Sequence, residues 1–373
     1  MPIQLTPWGV SGEIEKADYL RLIKEFGTQP LNERLLERLK KHTRDLHFML
    51  RRGIFFSHRD FDWILDNVEK GREFYLYTGR GPSGNTHVGH LVPWMLTKWL
   101  QEKFHCKFYF QLTDDEKFFY NEHLSLEDTK KYAYENALDL IALGFEHKNT
   151  KLIIDTEYIK ELYPLAAKVA KKLTYSTVKA SFGFKDSTNV GLIFFTSLQS
   201  APCFLESVKE GKNIPCLIPH AIDQDPHFRI TRDIAPKIGF FKPAAIHNKF
   251  LPGLGKEGKM SASQPETAIF TTDNPNEARK KIMRAYSGGA KTLAEHKEKG
   301  GNPEVDVACQ YLLFLFEEDD KKVEDIFEDY KAGSIGSKEV KHYLADKVER
   351  FLKEHQLKRE KSRKVLDKFI LRD

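Results

Sequence analysis

Short apolar segments that end in turn residues alternate with longer helical segments through the middle of this sequence. Apolar runs predict strands, whereas apolar side chains spaced three and four residues apart predict helices. The expected strands are 74–79, 107–116, 151–155, 214–219 and 242–250. A strand joined to the next through a helix needs a right-handed crossover, which places both strands parallel in one sheet. The sequence therefore predicts an α/β fold with a doubly wound parallel sheet.

The segments on either side of this alternation differ from it. Residues 1–70 predict a mostly helical extension, because 32–52 carry apolar side chains at near-helical spacing and Gly53 is a natural helix stop. Residues 71–272 hold the strands, and every patterned segment in 273–373 predicts a helix. We therefore expect three regions: a helical extension, a sheet domain and an all-α C-terminal domain.

Cysteine spacing and apolar runs exclude several classes of protein. The four cysteines lie far apart without a CxxC pair, which argues against a zinc ribbon and favours a reducing compartment. The first twenty residues lack the basic head and apolar stretch of a signal peptide. No apolar run approaches the length of a membrane span. We expect a cytoplasmic protein that has no membrane contact and holds no metal in its own site.

The net charge of +5 is concentrated at the C-terminal end. Residues 331–373 contain thirteen Lys and Arg against seven Asp and Glu, a surplus of six, so the rest of the chain sums to about −1. A basic helical tail can contact phosphates, but a solvated helix face has the same composition. The charge alone does not distinguish the two.

Residues 79–84, GRGPSG, follow a predicted strand and match the glycine pattern of dinucleotide-binding turns. That match would indicate an NAD enzyme, with Glu102 as the distant acidic residue. The pattern needs a helix that starts within the glycines, so that its amides face a pyrophosphate. Here Pro82 and Asn85 lengthen the turn, and the helix is expected to begin near His87 or Val88. We therefore reject the NAD interpretation.

Two histidines follow the turn in the sequence His87-Val88-Gly89-His90. Side chains three residues apart share a helix face. Imidazoles at a helix N-terminus can donate to triphosphate oxygens as charge builds there, and Gly89 leaves room for a purine or ribose. Surface histidines or part of a metal site would show the same spacing. Because the two histidines follow a strand and a turn, nucleotide binding is about as well supported as these alternatives.

A glycine-flanked loop, GKEGKMSAS (255–263), follows the last predicted strand. It can fold over the open end of the sheet, where doubly wound folds bind ligands. A mobile lysine that reaches a departing pyrophosphate stabilises the transition state more than the ground state. Taken alone, such a segment is more commonly a solvated charged loop.

HVGH and KMSAS, in this order and about 170 residues apart, resemble the HIGH and KMSKS signatures of class I aminoacyl-tRNA synthetases. The resemblance implies a Rossmann-like catalytic domain, an all-α anticodon-binding domain, and ATP with its Mg²⁺. It implies catalytic roles for His87, His90, Lys259 and Ser261. The ATP-binding residues that it implies are Arg80, Gly81, His87, Gly89, His90, Lys259, Met260, Ser261 and Ser263.

The segments YLYTGRGPS, TDDEK and LIPHAIDQDPHFR are similar to the tryptophanyl-tRNA synthetases of eukaryotic and archaeal type, over nearly the whole chain. The resemblance implies that Tyr77 and Gln111 hold the indole N–H. It assigns the α-ammonium and carboxylate of tryptophan to Glu116, Gln199 and Gln224. Indole has a single donor, so a site specific for it needs a buried acceptor. Singly, a core tyrosine, an inward strand glutamine and a surface acid would look the same.

Two departures from the family pattern stand out. The segment between the glycine turn and the histidines is one residue shorter than usual, which leaves the role of Ser83–Thr86 open. His220 occupies a position where small or thiol residues are common, and it receives no role.

By this resemblance the chain activates tryptophan with ATP, charges tRNA(Trp) and forms a homodimer. A tyrosyl-tRNA synthetase is the nearest alternative, but it would need a carboxylate aimed at the phenol. A small nucleotidyltransferase also uses HxGH, but it has no evident need of a helical C-terminal domain. A non-catalytic tRNA-binding module is opposed by the intact His87, His90 and Lys259.

Overall fold

The computed structural model describes residues 4–6, 9–11, 16–256, 260 and 264–372. Its strands are β1 (Gln4–Thr6), β2 (Gly9–Ser11), β3 (Gln29–Pro30), β4 (Phe55–Arg59), β5 (Tyr75–Arg80), β6 (Phe108–Leu112), β7 (Thr150–Ile154), β8 (Cys216–Ala221) and β9 (Ala244–Asn248). β1 and β2 form an antiparallel pair. The other seven strands form one sheet in the order β3-β4-β9-β8-β5-β6-β7.

Helices cover both faces of this sheet and make up the C-terminal region. Those before the last strand are α1 (Lys16–Phe26), α2 (Glu33–Thr43), α3 (Phe48–Arg51), α4 (Phe61–Glu69), α5 (Leu91–Phe104), α6 (Asp114–Tyr120), α7 (Leu126–Ala142), α8 (Ile159–Ala170), α9 (Tyr175–Phe182), α10 (Val190–Leu198), α11 (Pro202–Glu210) and α12 (Asp225–Ile234). Those after it are α13 (Pro275–Arg284), α14 (Leu293–Lys299), α15 (Val307–Tyr311), α16 (Asp320–Lys331) and α17 (Ser337–Ser362).

Five neighbouring strands, from β9 to β7, run parallel. Every residue of β6 and β9 is buried. Strands covered on both faces are continuous apolar runs rather than alternations, and for this reason the sequence identified all five. The predicted doubly wound parallel sheet is confirmed.

The helix after Ser125 shows how local sequence determines the ends of an element. The Asp128 amide donates to the Ser125 hydroxyl, and the Ser125 amide donates to the Asp128 carboxylate, so a capping box begins α7. Gly144 follows with φ +94°, a conformation that other residues rarely adopt. The predicted interval 125–144 therefore contains α7.

The N-terminal extension contributes strands that the sequence analysis did not anticipate. β4 pairs antiparallel with β9, and β3 pairs with β4, so the central sheet continues into residues 1–70. The helical spacing of 32–52 correctly predicted α2. It gave no signal for β4, where Ser57 and His58 are polar and yet buried.

The C-terminal region is helical, as predicted, and it is docked on the sheet domain. α17 runs for 26 residues and packs along α13 and α7. One apolar cluster joins the extension, the sheet and α17 through residues such as Leu39, Phe110 and Leu344. At the sheet edge, the Leu152 amide donates to the Phe369 carbonyl over 2.9 Å. All three predicted regions therefore share one core.

In the described ranges, no helix combines the length and the apolar character needed to cross a bilayer. All four cysteines are buried free thiols.

Candidate active site

The carboxyl ends of β5, β6 and β8 meet at one edge of the sheet, beside the point where strand order reverses. β5 and β8 are neighbours; β6 and β7 extend the sheet on one side and β9 on the other. In doubly wound sheets a ligand crevice opens at such a reversal. The segments that follow these strands, 81–90, 113–116 and 222–224, carry six of the fourteen predicted site residues.

The histidine turn, residues 81–90, connects β5 to α5. The rings of His87 and His90 stack with centroids 3.6 Å apart, and the His87 amide donates to His90 Nδ1 over 3.2 Å. A 3-10 turn, Val88–His90, leads directly into α5. The helix thus begins where the sequence predicted, and both imidazoles stay partly exposed.

The histidine turn is tied to the segment that follows the predicted lysine loop. The Val88 amide donates to the Ile269 carbonyl, and the Thr271 amide donates to the Thr86 carbonyl, both over 2.9 Å. The segment 269–271, just after the KMSAS loop, therefore lies against the histidine turn, although about 170 residues separate the two motifs in sequence.

Of the KMSAS loop, the structure describes Met260 alone. Its side chain is 4% exposed, and its terminal methyl would lie 3.3 Å from a Cβ at position 89. The space beside Gly89 is therefore bounded by Met260 and by the His87 ring, whose Nδ1 would lie 3.1 Å from the same Cβ. The predicted phosphate contacts on this loop lie outside the described residues: Lys259, Ser261 and Ser263.

Arg80, a predicted ATP-binding residue, ends β5 with a buried guanidinium. It donates to the Thr86 hydroxyl over 2.6 Å and to the carbonyls of Asn85 and Gly84 over 2.8 and 3.2 Å. Burial lowers the pKa of Arg80 to about 10, against the opposing effect of the Asp139 carboxylate. Arg80 therefore stays charged at neutral pH, and its bonds in this structure hold the segment Ser83–Thr86.

Glu116 lies in the first turn of α6, just beyond β6. Its carboxylate accepts from the Thr113 hydroxyl and the Lys117 ammonium, each over 2.7 Å. Burial alone would raise the pKa of Glu116, but the Lys117 charge and these bonds hold it below its usual value. A Cβ at Gly81 would lie 1.9 Å from Lys117 Cε and 2.7 Å from Glu116 Oε2. A side chain at position 81 would therefore displace the ends of the Lys117 and Glu116 side chains.

Tyr77 lies beside two of the glutamines that the sequence analysis singled out. Its buried phenol donates to Gln111 Oε1 and accepts from Gln199 Nε2, the latter over 2.8 Å. The ring of Phe228 packs edge-on against it at 5.9 Å. Side chains from β5, β6 and the end of α10 are brought together here, and their oxygens keep lone pairs for one further donor.

Asp155 is a site residue that the sequence analysis missed. Both of its carboxylate oxygens accept from Gln111 Nε2 over 2.9 Å. Because the amide nitrogen faces Asp155, the amide oxygen faces Tyr77. Burial raises the pKa of Asp155 well above its usual range, and the charges of Asp115 and Asp114 act in the same direction. The only signal in the sequence was its place at the end of the predicted strand 151–155.

Gln224 ends a short 3-10 turn after β8, with its side chain half-buried. The next residue, Asp225, is fully buried and accepts from Arg59 Nε over 2.7 Å. Burial would raise the pKa of Asp225, but its bonds with Arg59 and His247 hold it well below the usual range. This ion pair anchors the start of α12, and with it Gln224, to β4.

His220 lies in β8 and packs against Phe228, whose ring also contacts that of Tyr77. Its Nδ1 is 2.8 Å from the Ala221 carbonyl, and its ring centroid is 4.7 Å from that of Phe228. Burial, aided by His247, lowers the pKa of His220 to about 3, so the imidazole is neutral. The residue without a predicted role thus supports the aromatic wall that contacts Tyr77.

Comparisons with known proteins agree on one family. Residues 69–353 match the family model described as tRNA synthetases class I (W and Y). The chain is 52% identical to the tryptophan–tRNA ligase of Sulfolobus acidocaldarius, over 98% of this chain and 94% of that protein. It is 51% identical to the tryptophan–tRNA ligase of Pyrococcus furiosus, over 98% and 93%.

Solved structures give the same result. The crystal structure of Plasmodium falciparum tryptophanyl-tRNA synthetase aligns with a TM-score of 0.86 at 43% identity, over 92% of each chain. That of the Aeropyrum pernix enzyme aligns with a TM-score of 0.89 at 33% identity, over 99% of this chain and 100% of that one. The chain therefore belongs to the tryptophanyl-tRNA synthetases of the class I aminoacyl-tRNA synthetase family.

Proposed function

We propose that the chain activates tryptophan with ATP and transfers it to tRNA(Trp). The observation that carries this proposal is the buried set of acceptors formed by Tyr77 and Gln111 at the carboxyl edge of the sheet. Asp155 holds the Gln111 amide with its oxygen toward Tyr77. A lone donor such as the indole N–H matches these acceptors, and a ligand without a donor would leave them unpaired.

The amino-acid end of tryptophan would meet residues beyond the strand ends. Glu116 is held in its charged form, so it can pair with the α-ammonium. Gln224 follows β8 at the same edge and would accompany Gln199 at the carboxylate. These roles rest on the position of each residue and on the family resemblance.

The first step joins a carboxylate oxygen of tryptophan to the α-phosphorus of ATP, while the bond to the bridging oxygen breaks and pyrophosphate departs. His87 and His90, at the mouth of α5, would donate to the phosphate oxygens as charge builds there. We assign phosphate binding also to Arg80, Gly81 and Gly89 of the turn. Lys259, with Met260, Ser261 and Ser263, would close on the departing pyrophosphate.

The second step transfers the tryptophanyl group from adenylate to the terminal ribose of tRNA, with the 2′ hydroxyl as the expected acceptor for class I. The hydroxyl oxygen attacks the carbonyl carbon, and AMP leaves. No protein nucleophile is needed, since positioning and charge stabilisation supply the rate.

Mg²⁺ would arrive with ATP, because this ion is usually held by substrate phosphates and water rather than by a protein cage. The side chains of the described residues fit a Mg²⁺ ion that is held by the substrate. Across the ranges that the structure describes, no group of three or more His, Cys, Asp or Glu side chains could hold a metal. The ion would neutralise phosphate charge as the α-phosphorus is attacked.

Residues 273–373 would read the anticodon, with 71–272 as the catalytic domain and 1–70 as an extension of it. Unpaired anticodon bases are typically recognised by stacking and by contacts to their edges. The basic surplus of 331–373 would contact the tRNA backbone. We place the protein in the cytoplasm, where its substrates are.

We assign a homodimer to this protein, formed through an apolar face on α6, α8 and α10. α6 and α8 both pack against α10, and the three helices expose large apolar side chains of the kind that mark interaction sites when they form a patch. They are Phe118 (38% exposed), Tyr120 (51%), Ile159 (37%), Tyr163 (56%) and Val190 (79%). Sedimentation at micromolar concentration tests the dimer.

Pyrophosphate exchange into ATP, measured with each of the twenty amino acids, tests the proposed activity. We expect exchange with tryptophan and at most weak exchange with tyrosine. Exchange with tyrosine alone would overturn the proposal. Exchange with tryptophan but no charging of any tRNA would limit the activity to nucleotidyl transfer.

A further inference from the structure

The C-terminal helix α17 contacts the structure around the histidine turn along two routes. One route passes through α7, and the other passes through the segment 271–273. Both start within one turn of α17, His355–Arg359. This arrangement brings the expected anticodon domain within a few hydrogen bonds of the expected ATP site.

The first route is centred on Asp139 of α7, which is 1% exposed. Its Oδ1 is 3.1 Å from His355 Nε2 and accepts from Arg359 Nε over 3.0 Å. Among the described residues, its Oδ2 is buried with no hydrogen-bond partner. The same carboxylate favours the charged form of the buried Arg80 and opposes the pKa decrease that burial causes. One buried anion thus serves cationic groups on both sides of the domain junction.

From Asp139 the contacts continue into the turn. One helical turn earlier on α7, Asn136 donates to the Gly84 carbonyl over 3.0 Å. Arg80 donates to the Gly84 and Asn85 carbonyls and to the Thr86 hydroxyl. The first half of the histidine turn is therefore held by Arg80 and by Asn136, and Asn136 lies on the helix that Asp139 ties to α17.

The second route runs through Gln356 of α17, whose amide donates to two backbone carbonyls. These belong to Thr271, at 2.9 Å, and Asp273, at 2.8 Å. Thr271 donates in turn to the Thr86 carbonyl, through its amide over 2.9 Å and its hydroxyl over 3.1 Å. Both routes converge on Thr86, the residue before His87.

We propose that Gln356 and Asp139 are positioning residues for adenylate formation, acting through Thr86 on the placement of His87 and His90. The inference rests on the proposed function, since it assigns ATP to the histidine turn. Neither residue touches the reacting atoms. The structural consequence is that a helix of the C-terminal domain is part of the ATP site even when no tRNA is bound.

The test is tRNA-free pyrophosphate exchange by the full chain, with Gln356→Met as the main variant. Methionine keeps the side-chain length and is unable to donate, and Gln356 is only half-buried. Asp139→Asn is the second variant, because it removes the shared charge without changing shape. We expect kcat/KM for ATP to fall about tenfold in each, the range seen for mutations that alter coupling, with the KM for tryptophan changed less than about twofold.

Arg279→Ala is the matched control. Arg279 pairs with Glu349 and Asp346 and so ties the same helix α17 to α13, without any contact to the histidine turn. Its removal should lower the melting temperature and leave the parameters for ATP unchanged. If Gln356→Met and Asp139→Asn lower only the melting temperature, or weaken ATP and tryptophan equally, their role is structural and the inference fails.

If the proposed function itself is wrong, the unmodified chain will show no tryptophan-dependent pyrophosphate exchange. In that case equilibrium binding of Mg-ATP to the same proteins decides the inference. Weaker binding by Gln356→Met, but not by Arg279→Ala, would support it, and equal binding by all would overturn it.

Discussion

Removal of the Tyr77 hydroxyl tests the buried acceptor on which tryptophan recognition depends. In Tyr77→Phe, Gln111 Oε1 loses a donor and Gln199 Nε2 loses an acceptor. The ring and its contact with Phe228 remain, so the perturbation is confined to one oxygen atom.

The expected magnitudes follow from hydrogen-bond energetics. A neutral hydrogen bond contributes roughly 0.5–1.5 kcal/mol net, and 1.4 kcal/mol corresponds to a tenfold change. Loss of one bond to the indole N–H should therefore lower kcat/KM for tryptophan roughly two- to tenfold. Two buried partners left unsatisfied should cost about 1–3 kcal/mol of unfolding free energy.

Tyr75→Phe provides the matched control. Tyr75 lies on the same strand, is equally buried, and donates its hydroxyl hydrogen to the Pro202 carbonyl over 3.0 Å. Its loss should destabilise the fold by a similar amount without changing the kinetics of tryptophan.

The assay is pyrophosphate exchange at saturating ATP with varied tryptophan, together with urea unfolding of both variants. The KM for ATP should be unchanged in each. If Tyr77→Phe and Tyr75→Phe show the same parameters for tryptophan, the assignment of Tyr77 to the indole is wrong.

Two further changes test other parts of the site. Gly81→Ala places a Cβ 1.9 Å from Lys117 Cε and 2.7 Å from Glu116 Oε2, which are the ends of flexible side chains, so the variant should fold with a shifted carboxylate. Because bonds to charged groups contribute about 1.5–3 kcal/mol, a weakened bond should raise the KM for tryptophan by up to about tenfold, and an unchanged KM would contradict the role of Glu116. Burial, aided by the charges of Asp114 and Glu116 and opposed by the hydrogen bond with Asp155, raises the pKa of Asp115 to about 7, so the folded state holds this proton more tightly than the unfolded chain does. The resulting stability is present below about pH 4 and is lost as the pH rises to about 7. The Asp115→Asn variant should therefore lose less unfolding free energy over that interval than the unmodified chain. If urea unfolding shows the same change of unfolding free energy with pH in both proteins, the assignment to Asp115 is wrong.

The parallel sheet could be predicted from the sequence because β5 to β9 are buried on both faces and so consist of apolar runs. β4 could not be predicted, because its polar residues are buried only through tertiary partners. Ser57 lies 2.9 Å from His247 Nδ1, and Arg59 pairs with Asp225. Those partners are more than 160 residues away along the chain, so no local pattern reports them.

The site shows the same division. Motif resemblance identified Tyr77, Gln111 and Gln199, which the structure brings into direct contact. It did not identify Asp155, since an acid at the end of a strand has the same sequence context whether it is buried or exposed. Only the register of β6 with β7, which pairs Gln111 with Ile153, brings the Asp155 carboxylate to the Gln111 amide.

The direction of the hydrogen bonds explains why that missing residue matters. A glutamine amide presents either a donor or an acceptor, and Asp155 fixes which one faces Tyr77 by accepting from Gln111 Nε2. Tyr77 then donates to Gln111 and accepts from Gln199, which leaves lone pairs on the phenol oxygen and the Gln111 amide oxygen for a ligand. Because Tyr77 and Gln111 present acceptor oxygens, the site favours a ligand that donates a hydrogen bond over one that can only accept a hydrogen bond. Tyr77, Gln111 and Gln199 would therefore contact the ligand, while Asp155, directly after the neighbouring strand β7, would determine whether the Gln111 amide offers an acceptor or a donor.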